Sequence, residues 1–482
     1  MEKILSLLQD KMSRPGSGYA DLRYVETERT RIRTKNGELE ELKESHSRGV
    51  GFRVLKGGAF GFSATTDLSE KSLFKHLEQA SRMAQTLSKV RHTEVKLASV
   101  KPAQSEWTLP IQKDPWKLSL EEKIAPFVEA ERKIAGSPQM DSASGVLDLT
   151  RKRVIFISSE GSWIDQCLYR TGGWIYAETW AGREKIRRSF PGPSGPFRAE
   201  GYEAIEKMKI PAQADRLTEE LKELRQSPEA PAGTFDLILK GSVLSLQIHE
   251  TFGHASESDR VYGYEDNYGG RTFLNPGLLG GYPVASPVVT LVSDGSLHLG
   301  TGAGSFAYDD EGVPARRIEV VREGIFSGYL TSRETAFFLN QPESSANMVA
   351  HDGSHYPLIR MTNLSLLPGE GSLQEMIAGI EAGFLLDNEL SWSIDQMRLD
   401  FQIGTEAGYH IQDGKIKGLV RFPFYHGNTL DFWRSCDSVA GKEEWDFWGF
   451  SDCGKGGPYQ EAFTGHGVSP ARFRGVKFGR NA

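Results

Sequence analysis

The chain of 482 residues is long enough to bury a large core and predicts two domains. Its net charge of −7 excludes a global basic field that would attract nucleic acid, so we expect no nucleic-acid partner. Three cysteines are too few for a disulfide framework, and no apolar run is long enough to cross a membrane. We therefore expect a cytoplasmic protein without membrane association.

Helix and strand patterns alternate in the first 226 residues. After a short amphipathic helix, apolar and polar residues alternate on both sides of Asn36-Gly37, a dipeptide that favours a hairpin turn. One helix is predicted to open near Asp67, and another at the capping pair Ser119 and Glu122. These signals predict antiparallel strands with helices, which we interpret as a scaffold.

This first part ends with a basic cluster, a helix and a linker. The cluster is expected to be a solvated face rather than an anion-binding patch, and it contains Arg183, Lys185, Arg187 and Arg188. Residues 227–233, with two prolines and a glycine, are typical of a linker. We predict an N-terminal scaffold domain over residues 1–226 and a C-terminal domain over residues 234–482.

The most informative stretch is residues 244–254, where two imidazoles lie beside a carboxylate. Zinc-hydrolase helices carry the pattern H-E-x-x-H, in which histidines four residues apart share one face and the glutamate is the general base. Here His249 and His254 are five residues apart, and Glu250 directly follows the first. On a regular α-helix, at about 100° per residue, the two rings would point roughly 140° apart, too far to reach one ion.

Three local structures are compatible with this spacing. The turn can be widened to an i→i+5 turn of the π type, which is found mostly at functional sites. The helix can instead end near Gly253, whose backbone freedom lets His254 bend back. The third is a histidine pair at a helix end, with one ring capping carbonyls and the other packed. Ser242 or Ser245 is placed to cap the start of the helix.

The remaining residues predict short strands and loops. A glycine- and tyrosine-rich stretch over residues 255–270 suggests a mobile flap, and the carboxylates at 309–311 predict an exposed acidic turn rather than a cation site. His351 and His355 fall in a loop, and we interpret them as substrate-cleft residues rather than metal ligands. Alternation over residues 397–416 predicts antiparallel strands and a hairpin.

Several of these segments resemble, in the same order, the TldD/PmbA family of bacterial metallopeptidases, specifically its metal-bearing TldD-type members. Residues 249–259 resemble the family's metal-binding segment. The sequence "DDEGVPARR" at 309–317 and the Cys-Gly-Lys sequence at Cys453 resemble later segments. With similar strand and turn segments near the N-terminus, the resemblance covers nearly the whole chain.

The resemblance implies a two-domain fold of the α+β class. An N-terminal domain of antiparallel sheet and helices would precede a largely antiparallel β domain that carries the metal helix. It implies small or unfolded peptides as substrates, cut in an enclosed cleft. It also implies an assembly that is either a homodimer or a heterodimer with a PmbA-like paralogue, and Cys453 matches the family's third metal ligand.

The ligand types favour zinc, with one ion per active chain. Two imidazoles and one thiolate, from His249, His254 and Cys453, suit this ion and leave a fourth position for water. Cys453 is preferred over Cys436 because it lies in a glycine-rich turn near a lysine, whereas Cys436 follows aromatic residues that would bury it. Glu250, which lies beside a ligand, would be the general base.

Two other functions are compatible with these signals. A catalytically inactive, PmbA-like partner subunit would only complete an assembly, but the intact set of His249, Glu250, His254 and Cys453 argues against it. A metal-dependent hydrolase of a non-peptide amide would use the same chemistry in a different pocket.

Overall fold

The first half of the chain forms one large sheet. The computed structural model describes residues 2–14, 18–193 and 195–480. The strands of this half are β1 (Tyr19–Lys35), β2 (Glu38–Lys56), β3 (Ala59–Thr65), β4 (Gln104–Thr108), β5 (Ser142–Ser158), β6 (Trp163–Ala181), β7 (Glu184–Phe190) and β8 (Phe197–Arg198). Their order is β3-β2-β1-β5-β6-β4, and β7 and β8 also pair with β6. The pairs are antiparallel except that of β4 with β6.

Helices cover one face of this sheet. They are α1 (Glu2–Met12), α2 (Glu70–Leu87), α3 (Leu120–Ala135), α4 (Glu203–Met208) and α5 (Ala214–Leu224), with short 3₁₀ turns at Pro115–Lys117 and Ile210–Gln213. Alternate residues of the strands point toward the helices, so Leu22 of β1 and Ile157 of β5 pack with α1 and α2. Leu149 of β5 packs with α3 and α5 in the same way.

Local chemistry accounts for the turns and helix starts. Asn36 and Gly37 have φ values of 52° and 85°, as a two-residue hairpin turn between β1 and β2 requires. Helix α2 is capped by Ser69 rather than by Asp67, whose carboxylate instead accepts hydrogen bonds from Ser69. The predicted capping box at Ser119 is confirmed.

The second half is dominated by strands. They are β9 (Gly233–Leu239), β10 (Leu291–Asp294), β11 (Arg317–Arg322), β12 (Ile325–Phe326), β13 (Met348–Val349), β14 (Leu358–Ile359), β15 (Leu364–Leu366), β16 (Ala382–Leu386), β17 (Glu389–Ile394), β18 (Asp400–Thr405), β19 (Ala407–Gln412), β20 (Lys415–Arg421), β21 (Pro423–Asn428), β22 (Cys436–Val439), β23 (Asp446–Lys455), β24 (Gln460–Val468) and β25 (Ala471–Arg480). The largest sheet has the order β17-β18-β21-β25-β9-β16-β19-β20, with β22 paired to β25. Smaller sheets are β12-β11-β10-β15, β13-β14 and the hairpin β23-β24.

Helices of the second half are short. They are α6 (Gly241–Ile248), α7 (Ser258–Val261), α8 (Arg333–Phe338), α9 (Leu373–Ala378) and α10 (Thr429–Arg434), with a π-helical turn at His249–Gly253 and 3₁₀ turns at His254–Ser256, Pro276–Leu278 and Lys442–Glu444. No helix of the described residues is long and apolar enough to cross a membrane. The α+β class with largely antiparallel sheets is confirmed, and the exact division into residues 1–226 and 234–482 stays a prediction.

The acidic turn that was expected at the surface is buried. Asp309, Asp310 and Glu311 are at most 6% exposed. Arg23 of β1 donates to Asp310 over 3.3 Å, and Arg53 of β2 donates to Glu311 over 3.0 Å. The prediction of an exposed turn is wrong because cations of the N-terminal sheet, distant in sequence, cover these carboxylates.

One member of the basic cluster joins the two halves. Arg188 of β7 is fully buried and contacts Glu220 at 2.7 Å, Asp387 at 3.0 Å and Glu406 at 3.4 Å. The preceding Arg187 points the opposite way and is partly exposed. The predicted solvated face is therefore wrong for Arg188, because alternate residues of a strand face opposite sides of the sheet.

We expect Arg188→Met to destabilise the protein by about 3–5 kcal/mol, because the buried carboxylates of Asp387 and Glu406 lose the guanidinium that they contact. Arg187→Met is the matched control on the same strand. It removes a partly exposed ion pair with Glu178 and should cost at most about 1 kcal/mol. Urea unfolding of both variants measures the difference, and equal losses of stability would contradict a bridging role for Arg188.

Candidate metal centre

Helix α6 leads into the site and is buried on all sides. Residues 242–248 are all buried, so the helix runs through the core directly after the central strand β9. Neither predicted serine caps it. Because the helix begins at Gly241, Ser242 and Ser245 lie inside its first turns, where their hydroxyls donate to the carbonyls of Asp387 and Gly241.

The turn that follows α6 is widened. Residues His249–Gly253 form a π-helical turn, in which the backbone N–H of His254 donates to the carbonyl of His249. The i→i+5 alternative is thereby confirmed. Gly253 is closely packed: a Cβ atom there would lie 2.4 Å from Sδ of Met361, so the buried side chain of Met361 would have to move.

The widened turn and a distant hairpin bring three ligand types together. Ligand atoms of His249, His254 and Cys453 all lie within 4.8 Å of one another, and the three residues are buried. Cys453 of β23 places its Sγ atom 3.6 Å from Nε2 of His254. The structure thus brings together the three residues that the sequence proposes as metal ligands.

His466 of β24 fixes the tautomer of His249. Nδ1 of His466 lies 2.7 Å from the carbonyl oxygen of Leu364, which can only accept, so this nitrogen carries a hydrogen. Burial holds the pKa of His466 well below its usual value, so its Nε2 is an acceptor. Nδ1 of His249, at 2.9 Å, donates to it. We therefore assign the lone pair of His249 to Nε2, where a metal can bind it.

Glu257 fixes the tautomer of His254 in the same way. Nδ1 of His254 lies 3.0 Å from Oε2 of Glu257. Burial alone would raise the pKa of the Glu257 carboxyl, but Lys455, His254 and Arg260 outweigh burial and hold it well below its usual value. The carboxylate accepts the Nδ1 hydrogen and leaves the lone pair on Nε2, the atom that faces Cys453.

Ionisation in the site matches what a metal requires. Burial lowers the pKa values of His249 and His254, which favours neutral imidazoles. Burial raises the pKa of Cys453, but Arg360 and His254 more than offset it, so the pKa is lowered and the thiolate is favoured. Cys436, the alternative thiol, is buried in β22, and burial raises its pKa to about 12.

Lys455 is the lysine that follows Cys453 by two residues, and the sequence predicts that its charge favours the thiolate. In the structure its ammonium group pairs with two carboxylates. Its buried Nζ lies 3.1 Å from Glu257 and 2.7 Å from Asp259, rather than beside the thiol. It ties the hairpin that carries Cys453 to the segment after His254.

Glu250 lies at the edge of the site in an ion pair. Its Oε2 accepts from Nη1 of Arg398 over 2.6 Å, and both side chains are 12% exposed. Arg398 has a φ of 63° and also donates to the carbonyl of Gly269. The carboxylate therefore lies in the same cleft as His249, His254 and Cys453 but outside the cluster of candidate ligands.

A cleft of about 530 Å³ opens beside these residues. Its rim carries three half-exposed aromatic side chains, those of Tyr268, Trp392 and Tyr459. Strand β17, the end strand of the largest sheet, forms one wall. His351 and His355 do not line this cleft, and His351 lines a separate cavity; their interpretation as substrate-cleft residues stays a prediction.

The stretch predicted as a mobile flap is anchored at its base. Arg260 and Glu265 are at most 3% exposed. Arg260 donates to Glu257 over 3.0 Å, and Glu265 accepts from the backbone of Gly456 over 3.2 Å. Tyr264, Asp266, Asn267 and Tyr268 of this stretch are exposed, and Tyr268 lines the cleft.

Sequence reasoning missed two residues of the site. His466 lies alone in a glycine-bearing strand, with no spacing that relates it to His249. Arg398 follows an ordinary alternating pattern and meets Glu250 only through the fold. For Glu257 a local signal existed, because it lies three residues after His254, within reach on a helical turn.

The donor set fits a bound metal ion. Two imidazoles with their lone pairs directed by His466 and Glu257, and one thiol whose pKa is lowered, are the groups that bind zinc and related ions. A second layer of acceptors behind metal-binding histidines is typical of such sites.

Comparisons with known proteins agree with this geometry. The chain is similar to a metalloprotease of Methanothermobacter thermautotrophicus, with 28% identity over 471 residues, covering 96% of this chain and 95% of that protein. It is similar to a zinc metalloprotease TldD homolog of Saccharolobus solfataricus, with 28% identity over 215 residues, covering 43% of this chain and 44% of that protein.

A solved structure shows the same fold. It is a protein of Thermotoga maritima, described as a proposed modulator of a DNA gyrase, with a TM-score of 0.78, 19% identity and 99% of both chains covered. Family models described as PmbA/TldA metallopeptidase domain 1 and PmbA/TldA metallopeptidase C-terminal domain match residues 20–84 and 232–480. Since the second match alone spans more than half of the sequence, this chain belongs to the TldD/PmbA family of metallopeptidases.

Proposed function

We propose that this protein is a zinc-dependent peptidase that hydrolyses small or unfolded peptides in the cleft beside His249. The observation that carries the proposal is the convergence of His249, His254 and Cys453, with each histidine held by its own acceptor. The names of the two metalloprotease relatives support peptidase activity, and one of them names zinc.

Zinc suits this donor set better than a hard cation, which would take oxygen ligands. When bound, it would lower the pKa of a water molecule and polarise the scissile carbonyl. The chain's own residues orient the ligands: His466 and Glu257 direct the two Nε2 atoms, and Arg360 with His254 favours the thiolate of Cys453.

Glu250 is placed to act as the general base. In this role its carboxylate takes a proton from the attacking water and passes it to the nitrogen of the leaving amine. The ion pair with Arg398 holds the carboxylate in the cleft, so that it does not need to reorganise during the reaction.

The cleft suits an extended chain. β17 pairs with β18 on one side, and in the part of the chain that the structure describes no strand pairs with its other side. Such an edge can bind an extended peptide through backbone hydrogen bonds, with Trp392 and Tyr459 available for its side chains. A folded protein does not present its backbone in this way.

Two further predictions accompany this proposal. We expect the protein to act in the cytoplasm, as its low cysteine content indicates. We expect it to form either a homodimer or a heterodimer with a PmbA-like paralogue.

The zinc-loaded protein should cleave a reduced and alkylated protein and leave the same protein intact in its folded, disulfide-bonded form. A chelator should abolish cleavage, and added zinc should restore it. Mass spectrometry of the fragments measures both effects. Equal cleavage of the two forms would exclude an enclosed cleft. Zinc binding without cleavage of any peptide would favour the inactive partner, and hydrolysis of simple amides alone would favour the amide hydrolase.

We expect Cys453→Ser to lower zinc affinity by more than about 100-fold. Substitution of a residue that only hydrogen-bonds to a metal ligand typically lowers affinity by roughly 10–100-fold, whereas here a ligand itself is lost. Cys436→Ser is the matched control, since that thiol is buried elsewhere and should leave zinc content and activity nearly intact. Metal analysis of both purified variants measures the effect. The reverse pattern would show that the wrong thiol was assigned.

We expect Glu250→Gln to retain zinc and to lower the rate of peptide hydrolysis by about 10²–10⁴, because the amide cannot accept the proton of water. Asp452→Asn provides the control, since Asp452 is another carboxylate of the same cleft and should keep most of the activity. Zinc content and turnover are measured on each variant. Turnover of Glu250→Gln at the unmodified rate would remove Glu250 from the mechanism.

A further inference from the structure

The cleft beside the metal centre is lined by a buried carboxyl that the proposed reaction does not use. Glu389 is the first residue of β17 and is only 3% exposed. Its Oε2 atom is buried and has no hydrogen-bond partner. Most buried polar atoms in folded proteins have a partner, and a buried acceptor without one costs free energy. The position of Glu389 therefore requires an explanation.

Glu389 also lacks a counter-charge. Within the described residues, no nitrogen of a lysine, arginine or histidine side chain lies within 4.0 Å of its carboxyl. The neighbouring charges are negative instead. Burial, together with the carboxylates of Glu406 and Asp387, raises the pKa of Glu389 to about 8. A positive group that reaches the carboxyl would stabilise its ionised form.

The two neighbouring carboxylates show what a compensated acid looks like in this part of the fold. Arg188 contacts Asp387 at 3.0 Å and Glu406 at 3.4 Å. Glu406 also accepts a hydrogen bond from the backbone N–H of Ser189 over 2.8 Å. One guanidinium thus serves two of three acidic side chains. The third, Glu389, would gain both a counter-charge and a donor for Oε2 from a positive ligand.

The other charged groups that line the cleft are paired or negative. Its two arginines, Arg260 and Arg398, each form an ion pair with a glutamate. Two further carboxylates of the lining, those of Asp395 and Asp452, have no ion pair within the described residues. The lining thus contains four carboxyls and two arginines, which favours positive over negative ligands.

Glu389 and the metal centre lie at the two ends of one face of helix α6. The carboxyl of Glu389 lies beside the hydroxyl of Ser242, in the first turn of α6. His249 follows Ser242 by seven residues, a rise of about 10 Å. Leu246 lies between them on the same helix face and also lines the cleft. An extended chain along this face would span the distance with about three residues.

We propose that Glu389 binds an ammonium group of the peptide substrate. A positive donor follows from the unpartnered oxygen and the missing counter-charge, since an ammonium supplies what both lack. A peptide carries this group at its amino terminus and on lysine side chains. An amino terminus bound at Glu389 would place the cleaved bond about three residues along the chain. The inference rests on the proposed peptidase function and narrows its substrates to peptides with a positive charge near the scissile bond.

Peptide binding to the zinc-loaded Glu250→Gln variant tests the proposal without cleavage. An uncharged, lysine-free octapeptide, amidated and labelled at its carboxyl end, is compared in its free and acetylated forms by fluorescence anisotropy. If the amino terminus is the ligand, the free form should bind at least about tenfold more tightly. An acetylated series with a lysine at each position in turn identifies a lysine ligand by the same margin.

Glu389→Gln, introduced into the same variant, should abolish this preference. The amide keeps the size of the side chain but cannot carry a negative charge, so the charged and uncharged peptides should bind within about twofold of one another. Because the carboxyl has no counter-charge in the free protein, its replacement should preserve or raise the melting temperature.

Asp395→Asn is the matched control. Asp395 is another carboxylate of the lining, and its Oδ1 accepts from the backbone N–H of Leu399 over 2.6 Å, a bond that asparagine can keep. In the same zinc-loaded background this variant should retain the preference for the charged peptide.

Three results in the binding measurement would overturn the proposal. Equal affinity for the free, acetylated and lysine-containing peptides would show that no ammonium is recognised. A preference that persists in Glu389→Gln, or that is lost only in Asp395→Asn, would place the ammonium elsewhere. Failure of Glu389→Gln to fold would show that the carboxyl has a structural role instead.

The binding measurement does not require hydrolysis, so it decides the proposal even if no peptide is cleaved. Cleavage of all these peptides by the protein with Glu250 intact, at equal kcat/KM, would refute the role of Glu389 and leave the peptidase function standing.

Discussion

One backbone hydrogen bond, from the N–H of His254 to the carbonyl of His249, determines the geometry of the metal centre. In a regular α-helix the two imidazoles would diverge, and no single ion could reach both. The widened turn has one more residue between hydrogen-bond acceptor and donor than an α-helical turn. The ring centroids of His249 and His254 are then 4.9 Å apart. Gly253 permits this because its backbone packs directly against Met361.

Burial has opposite consequences for the two kinds of ligand. Removing water lowers the pKa of an imidazole and so favours the neutral form that binds metal, but it raises the pKa of a thiol and opposes the thiolate. His249 and His254 therefore need acceptors for orientation, whereas Cys453 needs positive neighbours for ionisation. The structure provides both: His466 and Glu257 accept, while Arg360 donates to the backbone carbonyl of Cys453 and its charge favours the thiolate.

Local patterns in the sequence predicted the elements whose causes are local. The hairpin at Asn36-Gly37 and the capping box at Ser119 follow from a few adjacent residues, and the structure confirms them. The close spacing of His249 and His254 was enough to predict a widened turn as one of three alternatives. The resemblance to the TldD/PmbA family then indicated Cys453, which no local spacing connects to the histidines.

Long-range pairing explains what the sequence did not reveal. A run of charges looks the same whether it faces water or a partner from another strand, so the burial of Arg188 and of Glu311 could not be predicted. His466 and Arg398 likewise acquire their roles only when distant strands meet. In each case at least one contact joins residues separated by well over a hundred positions, beyond the reach of periodicity.

The position of β25 has a consequence for how the chain folds. This strand pairs with β9 and β21 near the middle of the largest sheet. Strand β9 lies at the start of the second half and β25 at its end, so the two paired strands are far apart in sequence. Contacts between such distant segments require closure of a long loop, which makes them slow to form. Helix α6 directly follows β9 and leads into the turn that carries His249 and His254. An ion bound by both His254 and Cys453 would bridge two residues that are 199 positions apart, so it would stabilise the closed form of this long loop.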